Sequence, residues 1–201
     1  CQTYTPADGD KPPYIMNTNV QNLGSAEQLQ KRRISEATNA FYRIYRHGNT
    51  LRFPYYDSNG QVVGFKIKTK SKDFHYEGSS SDTLFGQHLF PTSGKRIVIT
   101  EGELDAASCY EVMSGWPMVS LPHGAAAAKK DLQKAIPFLQ GYQEIVLFFD
   151  NDEAGREAVE SASSILPAGR VKIARLDAYK DASDALQAED REAIRRAIWD
   201  A

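Results

Sequence analysis

The sequence predicts an α/β fold: a parallel four-stranded sheet flanked by helices, preceded by a smaller basic α+β subdomain. Three observations predict it. From Arg96 onward, short β-branched or apolar runs alternate with helical patterns, as in a parallel sheet with crossover helices. Those runs are apolar almost throughout, as strands buried on both faces must be. Ahead of them, Asp57-Ser58-Asn59-Gly60 separates two strand-like runs, the signal of an antiparallel hairpin.

Taken in order, residues 1–24 are polar and carry Pro6, Pro12, Pro13, Gly9 and Gly24, which predicts a linker or extended arm. A short helical stretch is expected within 25–46. Residues 51–56 and 61–70 are the hairpin strands, and 73–95, rich in Gly and Ser, are expected to be irregular. Residues 25–95 thus form the basic α+β unit and residues 96–201 the parallel α/β unit. In the latter, RIVIT (96–100) is the first strand. A helix follows, with Ala106, Cys109, Tyr110 and Met113 at the i, i+3, i+4, i+7 positions of one face. PMVSL (117–121) is the next strand, then a helix over 125–139. EIVLFFD (144–150) is the most apolar strand. A helix over 153–166, a strand over 170–176 and short helices, the last near 189–199, complete the order.

Composition narrows the function classes. With 201 residues, 41% hydrophobic and 25% charged, the chain reads as a globular protein. No run approaches the roughly 18–20 apolar residues of a membrane helix, and no charged start precedes an apolar stretch, so neither membrane nor signal peptide is expected. Cys1 and Cys109 make no disulfide framework, and Cys109 falls on the apolar helix face; a reducing, cytoplasmic setting is expected. A chain starting at Cys1 without Met reads as an excised fragment. The net charge of -2 hides an asymmetry. Residues 1–95 hold 12 Lys and Arg against 8 Asp and Glu, and residues 96–201 hold 12 against 18. Residues 31–72 alone hold 10 against 2. A basic half beside an acidic half points to a polyanion site next to a cation site.

The acids gather where strands end. Glu101 follows RIVIT directly, Asp150 and Asp152 close EIVLFFD, and Asp181 and Asp184 follow the strand ending near Leu176. Ligands of open α/β sheets sit beyond the carboxyl ends of the strands. Residues i and i+2 of an extended chain project to one side, so Asp150 and Asp152 can face one cation. Mg²⁺ needs only one or two protein carboxylates per ion, because it keeps several waters. Gly102 allows the sharp turn behind Glu101. Asp152 also fits a helix N-cap, and Glu103 and Asp105 read as ordinary helix-start acids.

EGELDA (101–106) and FFDNDEAG (148–155), on successive strands, resemble the TOPRIM fold of primases, topoisomerases and some nucleases. Six further blocks are similar to the short-tailed-phage primase–helicase: RRIS (32–35), KIKTKSKDF (66–74), DTLFGQHLF (82–90), PHGAAAAKK (122–130), LPAGRVKIA (166–174) and KDASDAL (180–186). They occur in the family's order from about residue 25 to the end. The resemblance implies a primase RNA polymerase domain that makes RNA primers from NTPs on single-stranded DNA. It implies that Glu101, Asp150 and Asp152 bind Mg²⁺ and act catalytically. Cys1 resembles the last ligand of the family's zinc ribbon, whose other ligands lie outside this chain, as does the helicase part. Gly94-Lys95 is no P-loop, for the G-x-x-x-x-G-K-[ST] frame is missing. The family's template choice leans on the zinc ribbon, so weak sequence selectivity is expected here, and a monomer.

Lys66, Lys68, Lys70 and Lys72 alternate, which on a strand puts four like charges on one face, opposite something anionic. Lys31, Arg32 and Arg33 add to this region, with Arg33 a candidate contact. His123-Gly124 leads into a helix whose N-terminus can approach a phosphate, with Lys129 and Lys130 a turn further on. Together these residues predict phosphoryl transfer with two Mg²⁺ ions, Asp181, or as the alternative Asp184, supporting the second and Lys66 and Lys68 clamping the triphosphate. Two rivals remain at the level of sequence: TOPRIM-type DNA cleavage, and a non-catalytic DNA-binding scaffold.

Overall fold

The computed structural model describes residues 24–71, 73–79 and 82–201. The arm expected over 1–24 lies outside the described residues except for Gly24, and so does Lys72. The N-terminal part opens on a 3-10 turn, Gln30–Arg32, and α1, Glu36–Tyr42. Four strands follow: β1 Tyr45–His47, β2 Thr50–Tyr56, β3 Val62–Lys68 and β4 Phe74–Gly78, paired antiparallel in that order. The β2–β3 turn forms because the Asp57 carboxylate accepts from the amides of Asn59 and Gln61, both at 2.9 Å, while Gly60 takes φ 76°.

The short helical stretch expected within 25–46 is the 3-10 turn and α1, with β1 beginning in the same span, and one expectation needs correction. Residues 73–95, expected to be irregular, include β4, a 3-10 turn at Gln87–Leu89 and the start of β5. β4 escapes a pattern search because all five of its residues are exposed, so it has no alternation of apolar and polar positions.

The C-terminal part is the predicted parallel sheet. Its strands are β5 Gly94–Thr100, β6 Met118–Ser120, β7 Tyr142–Phe148 and β8 Val171–Ile173, in the spatial order β6-β5-β7-β8. The helices are α2 Glu103–Val112, α3 Ala128–Leu139 after a 3-10 turn at Ala125–Ala127, α4 Glu153–Ser163, α5 Ala182–Gln187 and α6 Arg191–Trp199. Successive connections leave β5 in opposite directions, so the strand order reverses there. Such a reversal opens a crevice at the carboxyl edge of the sheet.

The sheet is buried on both sides. One cluster, with Ile97, Ile99, Leu132 and Leu147, packs α3 and α4 against one face. The other, with Val98, Val146, Leu104, Ala185 and Ile194, continues into Ile34, Tyr42, Phe53 and Phe85 of the N-terminal part. One apolar body therefore runs through both halves. Polar bonds pin it: the buried Tyr42 hydroxyl donates to the Met118 carbonyl at 2.7 Å, and Glu111 on α2 accepts from the Ser35 amide and the Thr38 hydroxyl at the start of α1. The hairpin face carrying the lysines is thereby fixed opposite the carboxyl edge of the parallel sheet. Among the described residues no helix is long and apolar enough to cross a membrane.

Candidate active site

A cavity of about 690 Å³ lies between the antiparallel sheet and the carboxyl ends of β5, β7 and β8. Its acidic lining is Glu101, Glu103, Asp105, Asp150, Asp181 and Asp184, with Asp152 beside Asp150 but not among the lining residues, and its basic wall includes Arg32, Lys66 and Lys68. Glu101, Asp150 and Asp181 are delivered by the strand-end logic of the sequence. Glu101 follows β5, Asp150 stands two residues past β7, and Asp181 lies in the segment after β8.

Glu101 keeps one carboxylate oxygen unsatisfied. Its Oε2 is buried and has no hydrogen-bond partner. Burial first, and then the Asp150 charge, push its pKa up. Asp150 is also raised, mainly by burial, against the opposing pull of Lys180. Asp152 is lowered, chiefly by the Gly155 amide that it caps at 2.9 Å. It is thus an N-cap of α4, as its position allowed, and it also faces Asp150 across a shared cation. The Lys180 ammonium lies 3.1 Å from Asp150 Oδ2 and 3.2 Å from Asp152 Oδ2. These contacts hold the Lys180 pKa above its ordinary value. Among the described residues, no three His, Cys, Asp or Glu side chains draw close enough together to cage a metal ion in this arrangement. Lys180 supplies the positive charge between the two Asp instead.

Gly155 makes the acid loop possible. A Cβ there would stand 2.0 Å from the Asp150 carbonyl oxygen, so the first turn of α4 lies directly on the loop that presents Asp150. Asp181 caps α5, accepting from the Asp184 amide at 2.7 Å.

Glu103 and Asp105, read from the sequence as ordinary helix-start acids, are something else. Glu103 is buried on the cavity wall, where it accepts from the Lys66 ammonium at 2.7 Å and the Tyr55 hydroxyl at 2.6 Å. Asp105 is partly buried at the cavity wall and accepts from the Ser183 amide at 3.0 Å. Burial, with Asp181 and Asp150 nearby, raises its pKa well above the carboxylate range.

The predicted basic residues separate into two groups. Lys66 and Lys68 line the cavity, their ammoniums 4.8 and 5.1 Å from the centre of the Phe74 ring. Lys66 is not a free charge, being tied to Glu103 and to the Pro122 carbonyl at 3.1 Å. Lys68 is the looser of the two, and burial followed by repulsion from Arg32 lowers its pKa. Lys70 lies in the exposed turn after β3, away from the cavity wall. Arg33 has φ 59° and turns its side chain to Glu189, so Arg32 takes the cavity position and donates to the Ser183 hydroxyl at 2.8 Å. His123 and Gly124 line the cavity. His123 is held by Asp131, which faces its Nδ1 at 2.8 Å and accepts from its amide at 3.2 Å. Lys129 and Lys130 are exposed at the start of α3, outside the cavity lining. Sequence reasoning missed Lys180, Glu103 and Asp105 as members of the wall, and within the basic run it singled out Arg33 where the cavity takes Arg32.

A Toprim-like family model matches residues 98–186, which contain Glu101, Asp150, Asp152 and Asp181. The DNA helicase/primase of Enterobacteria phage T3 is 40% identical over 96% of this chain and 35% of its own length. A DNA primase of Helicobacter pylori is 34% identical over 58% of this chain and 22% of its own. The chain therefore spans about a fifth to a third of these curated relatives. Among solved structures, the primase fragment of the bacteriophage T7 primase-helicase superposes with a TM-score of 0.85 at 36% identity, over 97% of this chain and 83% of that one. The E. coli primase catalytic core shares the fold, with a TM-score of 0.65 at 18% identity.

Proposed function

The chain belongs to the family of Toprim-bearing DNA primases that includes the T7 primase fragment, and on that premise we propose that it joins ribonucleotides into short RNA primers on single-stranded DNA. The observation that carries the proposal is one cavity with a carboxylate wall facing a Lys/Arg wall, at about 690 Å³ within the roughly 300–1,000 Å³ of small-molecule sites. One wall suits divalent cations and the other suits phosphates.

The donor chemistry fits Mg²⁺, which needs only one or two protein carboxylates per ion and so does not require a preformed cage. The donors are all carboxylate oxygens, which hard cations prefer. Glu101 Oε2 is buried without a partner, and the Asp150–Asp152 pair already draws a cation. Glu101, Asp150 and Asp152 would hold the ion, with Asp181 available to a second. When bound, Mg²⁺ would make the attacking 3′-hydroxyl more acidic and offset the charge of the departing pyrophosphate. The chain's own residues do the positioning. Lys68 and Arg32 face the acids and give the triphosphate a fixed place, which turns a bimolecular encounter into an oriented one. Lys66, braced by Glu103, holds the hairpin at its distance from the acids. His123 is oriented by Asp131 toward the same cavity. The expected partners are template DNA, NTPs, and the zinc-ribbon and helicase parts of a longer protein, acting in the cytoplasm of a bacterial host.

The test is oligoribonucleotide synthesis by this chain with single-stranded DNA, NTPs and Mg²⁺, beside Glu101→Gln and Asp150→Asn. Product from the wild type and about 10²-fold less from either variant is expected, the scale on which one electrostatic group acts. Undiminished product from a variant refutes the assignment. Nicking of plasmid without NTPs would favour cleavage instead.

A further inference from the structure

We infer that Lys180 is a built-in counter-ion of the acid centre, competing with the divalent cation for Asp150 and Asp152. This inference rests on the metal-site reading above. The Lys180 ammonium stands 3.1 and 3.2 Å from the two carboxylates, and its side chain is about half exposed, 54% against 16% for Asp150. It therefore lies at the mouth of the site, with its ammonium able to reach solvent. Its backbone is anchored differently. The Asn151 amide, between the two acids, donates to the Lys180 carbonyl at 2.7 Å, and the Asn151 side chain donates to the Leu176 carbonyl at 2.9 Å. The segment after β8 is thus stitched to the acid loop by one main-chain bond and one Asn151 side-chain bond, neither of which involves the ammonium. The anchor keeps Lys180 within reach, and the flexible stem lets its charge leave.

The charge balance gives the reason for such a device. The charges of Asp150 and Asp152 repel Glu101, that of Asp181 repels Asp150, and the partial burial of Glu101 and Asp150 makes their charges costly. A tethered ammonium offsets the repulsion while no metal is present and keeps the Asp carboxylates aimed at one point. The same ion pair must be broken before a divalent cation can use those oxygens. Lys180 is then a positioning residue that trades metal affinity for order in the empty centre. Half-exposed ion pairs are weak, so the coupling is modest, about three- to tenfold in metal affinity.

The experiment measures Mn²⁺ binding by the electron paramagnetic resonance of the free ion, and melting in EDTA, for the wild-type chain, Lys180→Met and Lys180→Arg. Lys180→Met is expected to bind Mn²⁺ about three- to tenfold more tightly, to melt lower in EDTA, and to gain more from Mn²⁺. Lys180→Arg keeps the charge and is expected to bind like the wild type. A purely structural ion pair would lower melting in EDTA and leave Mn²⁺ affinity unchanged. That result, or weaker binding by Lys180→Met, overturns the inference while the metal site stands. Absence of Mn²⁺ binding in both wild type and Lys180→Met overturns the inference together with the metal site. Binding by Lys180→Met alone supports it.

Discussion

Exchanging Glu103 for Gln should destabilise the protein severely, although the change is one atom for another of the same size. The Lys66–Glu103 pair is 2.7 Å long, with side chains 11% and 5% exposed. Neutralising Glu103 leaves a buried ammonium whose remaining partners are neutral oxygens, among them the Pro122 carbonyl. Removing one member of a buried pair costs about 3–5 kcal/mol. For a chain of this size, 1 kcal/mol moves Tm by about 2–4 °C, so Glu103→Gln should melt about 6–20 °C lower. The double change Lys66→Met with Glu103→Gln removes both charges. It also keeps an acceptor for the Tyr55 hydroxyl, which now donates to Glu103 at 2.6 Å. Most of the lost stability should return in the double variant, giving a large favourable coupling. Urea unfolding followed by circular dichroism measures all four corners of the cycle. Wild-type stability in Glu103→Gln, or additive losses in the double variant, would refute the claim that this pair braces the hairpin against α2.

Further expectations follow from the same geometry. The folded-state pKa of Asp105 is raised, so the native state holds that proton longer than the unfolded chain does, and stability falls as pH rises from the ordinary carboxylate range through the raised value. Asp105→Asn should flatten that fall and out-stabilise the wild type increasingly with pH; parallel melting-versus-pH curves would refute it. Glu101→Gln should lose primer synthesis yet melt no lower than wild type without metal, because it relieves repulsion within the acid wall. A lower Tm in EDTA would contradict this. Gly155→Ala should displace the Asp150 loop, since its Cβ would meet the Asp150 carbonyl at 2.0 Å. A loss of about 1–3 kcal/mol is expected, as for overpacking, and unchanged denaturation midpoint and Mn²⁺ affinity would refute the close contact.

What the sequence revealed was local, and what it hid was not. The hairpin was legible because Asp57 and Gly60 encode their own turn, and the parallel sheet because apolar runs alternate with helical periods. Glu101 and Asp150 were legible as residues just past strands, and Asp181 as an acid in the segment that follows β8. β4 was hidden because its exposed residues carry no burial pattern. The Lys66–Glu103 pair was hidden because its members lie 37 positions apart and meet only when the hairpin docks on the parallel sheet. Arg32 and Arg33 were indistinguishable as text. The left-handed backbone at Arg33 sends that side chain to Glu189 and leaves Arg32 to face the cavity. Lys180 did carry a signal, a lysine directly before Asp181, but its meaning appears only once the segment after β8 lies beside Asp150 and Asp152.

The central claim is that the carboxyl ends of β5 and β7 share a divalent ion opposite a cationic wall. Anomalous diffraction from crystals soaked with Mn²⁺ and a nucleoside triphosphate tests it directly. The account predicts a peak bounded by Glu101, Asp150 and Asp152, the Lys180 ammonium displaced, and phosphate density toward Lys68 and Arg32. A fully loaded crystal with manganese elsewhere, and Lys180 still seated between the two Asp, would contradict it.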